Sequence, residues 1–280
     1  MPVTAELVSK RAILEANIRA LGRTLVAYSG GVDSAFLAWT ACQLLGADML
    51  AVIADSPSLA RSQLDDAVAF AREQQIPLEI IHTRELERPE YVRNDGSRCF
   101  YCKDELFARM EGFRADRRFD SLAYGVNTDD QGDFRPGQAA ARQRHVAAPL
   151  LEAGLSKQEI RELARDAGLR VWDKPASACL SSRIEYGRPV TRAALSVVEQ
   201  GEAALAALGF RQFRVRHHGE LVRIEIAREE LPRALTSEMA VEFTRIFKAL
   251  GFNFITLDLE GFRSGSMNAV LPVEQLVPKT

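Results

Sequence analysis

Arg23-Thr-Leu-Val-Ala-Tyr-Ser-Gly-Gly-Val-Asp-Ser34 joins an apolar run to a short Ser/Gly turn, and a helical pattern begins near Ala35. Strand, glycine-rich turn and helix start form the arrangement in which unpaired N–H groups of a first helical turn converge on a phosphate. Gly30 and Gly31 let the backbone approach a bulky anion with no Cβ in the way. Ser29 and Ser34 add hydroxyl donors, and Asp33 can hold a cation beside the phosphates. The stretch lacks the Gly-Lys-Ser/Thr of a Walker loop and the three-glycine spacing of a dinucleotide fingerprint. An ordinary strand-to-helix turn is the plain alternative, since Ser, Gly and Asp favour turns in any case.

Outward from that turn the pattern alternates. Residues 3–21 carry apolar positions at helical spacing, and the nearly continuous apolar run Asp48 to Ala54 has the character of a strand buried on both faces. An amphipathic helix over Leu59 to Gln75, a strand over Leu78 to His82, a helix from about Cys99 to Arg114 and a strand from Asp120 to Val126 follow. This predicts an α/β domain with a doubly wound parallel sheet and ligands at the carboxyl ends of the strands. After Leu150 the alternation weakens. Ser156 and Glu159 have capping-box spacing at the start of one more helix. An irregular Ser/Pro/Gly stretch from Val171 to Pro189 comes next, with Cys179 near its middle. The remainder reads as helix, strand, strand, helix, strand. The expected division is residues 1–175 for the α/β domain and 176–280 for a smaller α+β domain.

The 280 residues suffice for a large core, and the charge is nearly balanced at −2, with 36 basic and 38 acidic side chains. No basic stripe calls for nucleic acid. The charged N-terminus lacks the apolar region of a signal peptide, and no run is long enough to span a bilayer. Four cysteines without a secretion signal predict reduced thiols and a cytoplasmic location.

Five other constellations are candidates for chemistry. Tyr124-Gly-Val-Asn-Thr-Asp-Asp130 follows a predicted strand, so Gly125, Asn127 and Asp129 would share a sheet edge with the phosphate turn, with Arg135 nearby to neutralise phosphate. Cys99-Phe-Tyr-Cys102 is open to a zinc, a redox or a plain packing reading, and too few nearby partners complete a zinc site. Cys179 is flanked by Lys174, Ser181, Ser182 and Arg183, surroundings that favour thiolate, the nucleophilic form. Cys42, among Ala, Leu and Trp39, reads as a core thiol. Arg214 and Arg216 lie on one strand face. With Glu202 and Glu225 they suit a phosphate clamp and a metal site, or ordinary surface patterning. Asp258–Asn268 is a second candidate anion nest or a C-terminal turn.

Taken together, Ser29–Ser34, Arg98–Lys103, Tyr124–Gly137, Pro175–Tyr186, Arg214–Gly219 and Leu257–Asn268 resemble the LarE family. These are ATP-dependent sacrificial sulfur transferases of nickel-pincer nucleotide biosynthesis, within the ATP pyrophosphatase superfamily. The resemblance implies ATP and Mg²⁺ on the Ser29 loop and adenylation of a carboxylate of pyridinium-3,5-biscarboxylic acid mononucleotide. It implies attack by Cys179 and cleavage of that residue's own Cβ–S bond, leaving dehydroalanine. It further implies Ser182 and Arg183 assisting the thiol, Arg214 and Arg216 on substrate phosphate, Glu202 and Glu225 at a metal, and a homo-oligomer. Some members use three cysteines and an iron–sulfur cluster; a single cysteine in the active segment favours the sacrificial version. Lys103 and Lys174 are candidates for the base. Rival expectations are an ammonia-dependent synthetase, a tRNA-thiolating relative and a non-catalytic ATP-binding sensor.

Overall fold

Side chains of the first strand and the residue after it divide between two cores, Leu25 and Ala27 joining one and Val26 and Tyr28 the other. The alternation hidden inside an apolar run is what a strand covered on both faces produces. The computed structural model describes residues 4–132, 136–175, 178–263 and 267. In chain order they form α1 (Ala5–Ala20), β1 (Thr24–Ala27), α2 (Val32–Leu45), β2 (Met49–Asp55), α3 (Arg61–Glu73), β3 (Leu78–His82), α4 (Pro89–Val92) and α5 (Arg98–Arg117). Then come β4 (Ser121–Tyr124), α6 (Pro136–Gln143), α7 (Pro149–Glu152), α8 (Lys157–Asp166), α9 (Arg192–Ala207), β5 (Phe213–His218), β6 (Leu221–Ile226), α10 (Leu231–Ala234), α11 (Ser237–Ala249) and β7 (Phe254–Leu257).

Internal contacts divide the chain into two units, Met1–Glu85 with Cys99–Ser177 and Leu86–Arg98 with Ala178–Thr280. The first holds a four-stranded, all-parallel sheet in the order β3-β2-β1-β4. Helices α1, α2, α3, α7 and α8 pack through residues such as Leu14, Phe36, Phe70, Leu150 and Leu163 on one face, and α5 and α6 through Phe107, Met110 and Ala140 on the other. This is the doubly wound α/β arrangement expected from the alternation. The chain runs outward from β1 to β2 and β3, then returns to place β4 on the opposite side. The crevice between the ends of β1 and β4 is therefore the switch point where such sheets hold ligands. The expected capping box is present: Glu159 N–H donates to Ser156 Oγ (3.3 Å) and Ser156 N–H to Glu159 Oε2 (2.8 Å).

The second unit contains a three-stranded mixed sheet, β5 antiparallel to β6 and β6 parallel to β7. Val215, Val222, Ile224 and Ile226 pack with Leu205 of α9 and Phe243 and Phe247 of α11. Arg214, Arg216, Arg223 and Glu225 consequently occupy the opposite face of the sheet. The segment Leu86–Arg98 belongs to this unit although it sits within the first half of the sequence. Asn94 secures it: buried and at a φ of 56°, it donates through Nδ2 to the carbonyls of Glu185 (2.9 Å) and Arg188 (3.0 Å). Among the described residues no helix is long and apolar enough to cross a membrane.

Candidate functional site

Gly31 is the N-cap of α2, and no side chain caps that helix, so the N–H groups of its first turn have no partner within the helix. The turn that aims them depends on Gly30, which has a φ of 73°. A Cβ there would lie 2.6 Å from Cβ of Ala67. Ser34 Oγ donates to the Gly31 carbonyl (3.1 Å), accepts from Ser29 N–H (3.1 Å) and lies 3.0 Å from Ser29 Oγ. The two serine hydroxyls thus brace the loop as well as lining it. Gly125, just beyond β4, rests directly on this helix start: an added Cβ would come within 2.7 Å of Ser34 N and 3.0 Å of Asp33 C. The two motifs at the switch point are in backbone contact.

Around them the charges interlock. Asp33 Oδ2 is ion-paired with Lys157, while Asp33 Oδ1 is buried with no hydrogen-bond partner. Lys157 N–H, at the start of α8, donates to Asp129 Oδ2 (3.0 Å), so one residue spans both motifs. Asn127 Oδ1 accepts from Asp129 N–H (2.9 Å), and Asp130 Oδ2 accepts from Asn127 N–H (3.2 Å). Both side chains are buried and shape the turn. Lys174 Nζ donates to the Gly30 carbonyl (2.9 Å) and pairs with Asp66. Open helix N–H groups, an acid with one spare oxygen, two nearby lysines and a Gly125 contact that excludes any side chain fit a Mg²⁺–polyphosphate. Arg135 lies outside the described residues. Lys157 was not legible as a site residue, because only the packing of α8 brings it to Asp33.

In the second unit Cys179 is half-buried, immediately before a short 3₁₀ turn, Leu180–Arg183. Ser182 N–H (3.0 Å) and Oγ (2.7 Å) donate to the Cys179 carbonyl. Arg183, 1% exposed, donates to the carbonyls of Ala178 (2.7 Å) and Cys179 (2.9 Å) and pairs with Glu202 (2.9 Å). Ser182 and Arg183 therefore hold the cysteine's backbone. The Sγ atom instead accepts from Ser181 Oγ at 3.6 Å. Burial pushes the thiol's pKa up, but the Arg98 guanidinium, the Ser181 hydroxyl, Arg183 and the Ser182 N–H outweigh it, and the net shift is downward. Ser181 was among the neighbours expected to favour thiolate, whereas Arg98 is a contributor the sequence pattern missed. Residues 176–177, within the Pro175–Tyr186 segment, lie outside the described residues.

On the polar sheet face, Arg216 pairs with fully buried Glu225 (2.8 Å), which also accepts from Arg223 (3.1 Å). Arg214 has no carboxylate within ion-pair distance among the described residues; its guanidinium lies 4.9 Å over the Phe262 ring. Burial, with Arg183 and Arg216 nearby, lowers its pKa to about 10 although Glu202 opposes the shift. A half-buried cation crowded by other cations is poised for an anion. Glu202 and Glu225 are each occupied by arginine, and a metal there would compete with Arg183, Arg216 and Arg223. Among the described residues no group of three or more His, Cys, Asp or Glu converges as a metal cluster. Cys99 is exposed, and Cys102 and Cys42 are half-buried. Of the Asp258–Asn268 segment, residues 264–266 and 268 lie outside the described residues. Asp258 pairs with Arg263 (3.4 Å).

No family model matches the chain. It is 34% identical over 276 residues, 97% of its own length and 98% of the relative's, to the pyridinium-3,5-bisthiocarboxylic acid mononucleotide synthase of Lactiplantibacillus plantarum. An uncharacterized protein of Synechocystis is 41% identical over 251 residues, covering 90% of this chain and 94% of its own. One from Methanocaldococcus jannaschii is 26% identical over 242 residues, covering 86% and 91%.

Proposed function

Because the chain belongs to the LarE family of nickel-pincer cofactor sulfur transfer, we propose that it is an ATP-dependent sulfurtransferase that consumes its own Cys179. The observation that carries this is the Cys179 thiol, whose ionisation is favoured by Arg98, Ser181 and Arg183 despite its burial. Its substrate is pyridinium-3,5-biscarboxylic acid mononucleotide. A free carboxylate is a poor electrophile, so activation comes first. One carboxylate oxygen attacks the α-phosphorus of ATP, the bond to the β-phosphate oxygen breaks, and pyrophosphate leaves. The open N–H groups of α2 and Lys157 stabilise the charge that moves onto that leaving group. Asp33 is the residue to hold magnesium, which when bound neutralises phosphate charge.

The Cys179 thiolate then attacks the acyl carbon and AMP departs, leaving a protein-bound thioester. Removal of the Cys179 Cα proton and cleavage of its Cβ–S bond release the substrate as a thiocarboxylate and leave dehydroalanine. Each chain acts once, so two chains are needed to convert both carboxylates. Arg214, backed by Arg216, holds the substrate's phosphate, and Glu202 and Glu225 keep the arginine face ordered or bind a metal beside it. A homo-oligomer in the cytoplasm is the corresponding cellular form.

Intact-protein mass spectrometry after incubation with ATP, Mg²⁺ and substrate tests the proposal. A loss of about 34 Da, mapped to position 179, is what conversion of a thiol to dehydroalanine requires. Sulfurated product from a protein of unchanged mass would point to a persulfide or cluster donor. ATP binding with no pyrophosphate release, in the wild type and in Cys179→Ala alike, would mark a nucleotide sensor.

A further inference from the structure

Behind the Cys179 sulfur lies a hydrogen-bonded chain that leads away from the reacting atoms into buried surroundings. Ser181 is completely buried, and its Oγ lies 3.6 Å from Cys179 Sγ and 2.7 Å from Tyr91 Oη. Tyr91, 1% exposed, belongs to α4, on the segment that Asn94 pins into this unit. The Ser181 backbone is held from the same segment, since Arg98 Nη1 donates to its carbonyl (2.9 Å) and also to Asn94 Oδ1. A serine hydroxyl carries one proton and can donate it to one acceptor at a time. When Tyr91 donates to Ser181 Oγ, the serine proton is left to point at the sulfur, and a donor that is itself accepting is strengthened.

We propose that Ser181 is the hydrogen-bond donor that holds the Cys179 sulfur as an oriented thiolate, and that Tyr91 is a positioning residue acting through Ser181. This rests on the assignment of Cys179 as the sulfur donor, but it concerns the thiol before any substrate arrives. Among the described residues, the charged groups that act on the sulfur are Arg98 from the 86–98 segment and Arg183 from the 3₁₀ turn, the latter neutralised in part by Glu202. Their positive charge is retained in the variants below, so the hydroxyl contributions are isolated. The segment's membership of the second unit thereby acquires a role: it brings a phenol and a guanidinium, 80 or more residues away in sequence, to the reactive turn.

The test is the pH dependence of iodoacetamide alkylation at Cys179, followed on the peptide that contains it so that Cys42, Cys99 and Cys102 do not contribute. It is run on the wild type, Ser181→Ala, Tyr91→Phe and the double variant. Loss of a hydrogen bond to a charged sulfur is expected to raise the apparent thiol pKa in Ser181→Ala by about one unit, a roughly tenfold fall in thiolate below that pKa. Tyr91→Phe raises it by about half as much, and the double variant matches Ser181→Ala alone, because a residue acting through Ser181 has nothing left to act on. An unmoved profile in Ser181→Ala overturns the proposal. So does a Tyr91→Phe shift that persists in full in the Ser181→Ala background. If Ser181→Ala does not fold, Tyr91→Phe alone decides, since it removes one oxygen and leaves the ring packing intact. The outcome is independent of the dehydroalanine mass loss, so failure here and failure of the sulfur-donor assignment are separately visible.

Discussion

Gly125→Ala is the perturbation that bears most directly on how the phosphate turn is built. The methyl group would sit 2.7 Å from Ser34 N, 2.9 Å from Ser34 Cα and 3.0 Å from Asp33 C. All three are backbone atoms of the first turn of α2, so no side-chain rotation relieves the clash. Either the Gly125–Asp130 loop or the helix start must move as a body. Overpacking of this kind costs about 1–3 kcal/mol, and for a unit of this size a melting point falls by about 2–4 °C per kcal/mol. A drop of about 2–12 °C is expected. If the turn binds Mg-ATP as proposed, shifting the N–H cradle is also expected to weaken that binding by at least about tenfold, because displacements below an ångström degrade every hydrogen bond converging on one anion. Differential scanning calorimetry and isothermal titration measure the two effects. Gly112→Ala is the control: it lies inside α5 with nothing within 4 Å of its added methyl, and is expected to stabilise by about 0.5–1 kcal/mol. Wild-type melting and wild-type nucleotide affinity in Gly125→Ala would refute the backbone contact between the two motifs.

Arg214→Met removes a half-buried cation crowded by Arg183 and Arg216. The variant is expected to be as stable as the wild type or up to about 1 kcal/mol more so, while phosphate in the buffer raises the melting point of the wild type only. A phosphate response retained in the variant would place the anion site elsewhere. The pKa of Asp66 is lowered: burial raises it, but hydrogen bonds from Lys174 and Arg170 outweigh that. A carboxylate held lower in the folded than in the unfolded state adds stability that is present above the unfolded value, near 3.8, and is lost as pH falls through the folded value. Urea midpoints should therefore show Asp66→Asn weaker than wild type at pH 7, by less than about 1 kcal/mol for so exposed a pair, with the difference shrinking as pH falls below 3.8. A gap that widened on acidification would reverse the sign and reject the account.

Much of the architecture was legible because its causes are local. The apolar run before Ser29, the capping box at Ser156 and Glu159, and the alternation in Arg214-Val-Arg216 each depend on neighbours within a few residues. So does the turn at Gly30, where a positive φ selects glycine. Lys157 was hidden for the opposite reason. Its helix was recognised, but that its lysine meets Asp33 depends on how α8 packs against α2, 124 residues away. Asn94 was hidden too. Its buried amide bonds three carbonyls of the 184–188 loop, partners some 90 residues away in the chain.

Local chemistry determined the element types, the glycine turn before α2 and the cysteine most exposed to cations in its own stretch, since propensity, capping and periodicity act over one or two turns of chain. The tertiary structure decided which charges meet: Lys157 with Asp33, Tyr91 and Arg98 with the Cys179 turn, Arg216 rather than Arg214 with Glu225. Those pairings follow from strand order and helix packing. Their energies depend on distance through a low-dielectric interior, which no linear pattern encodes.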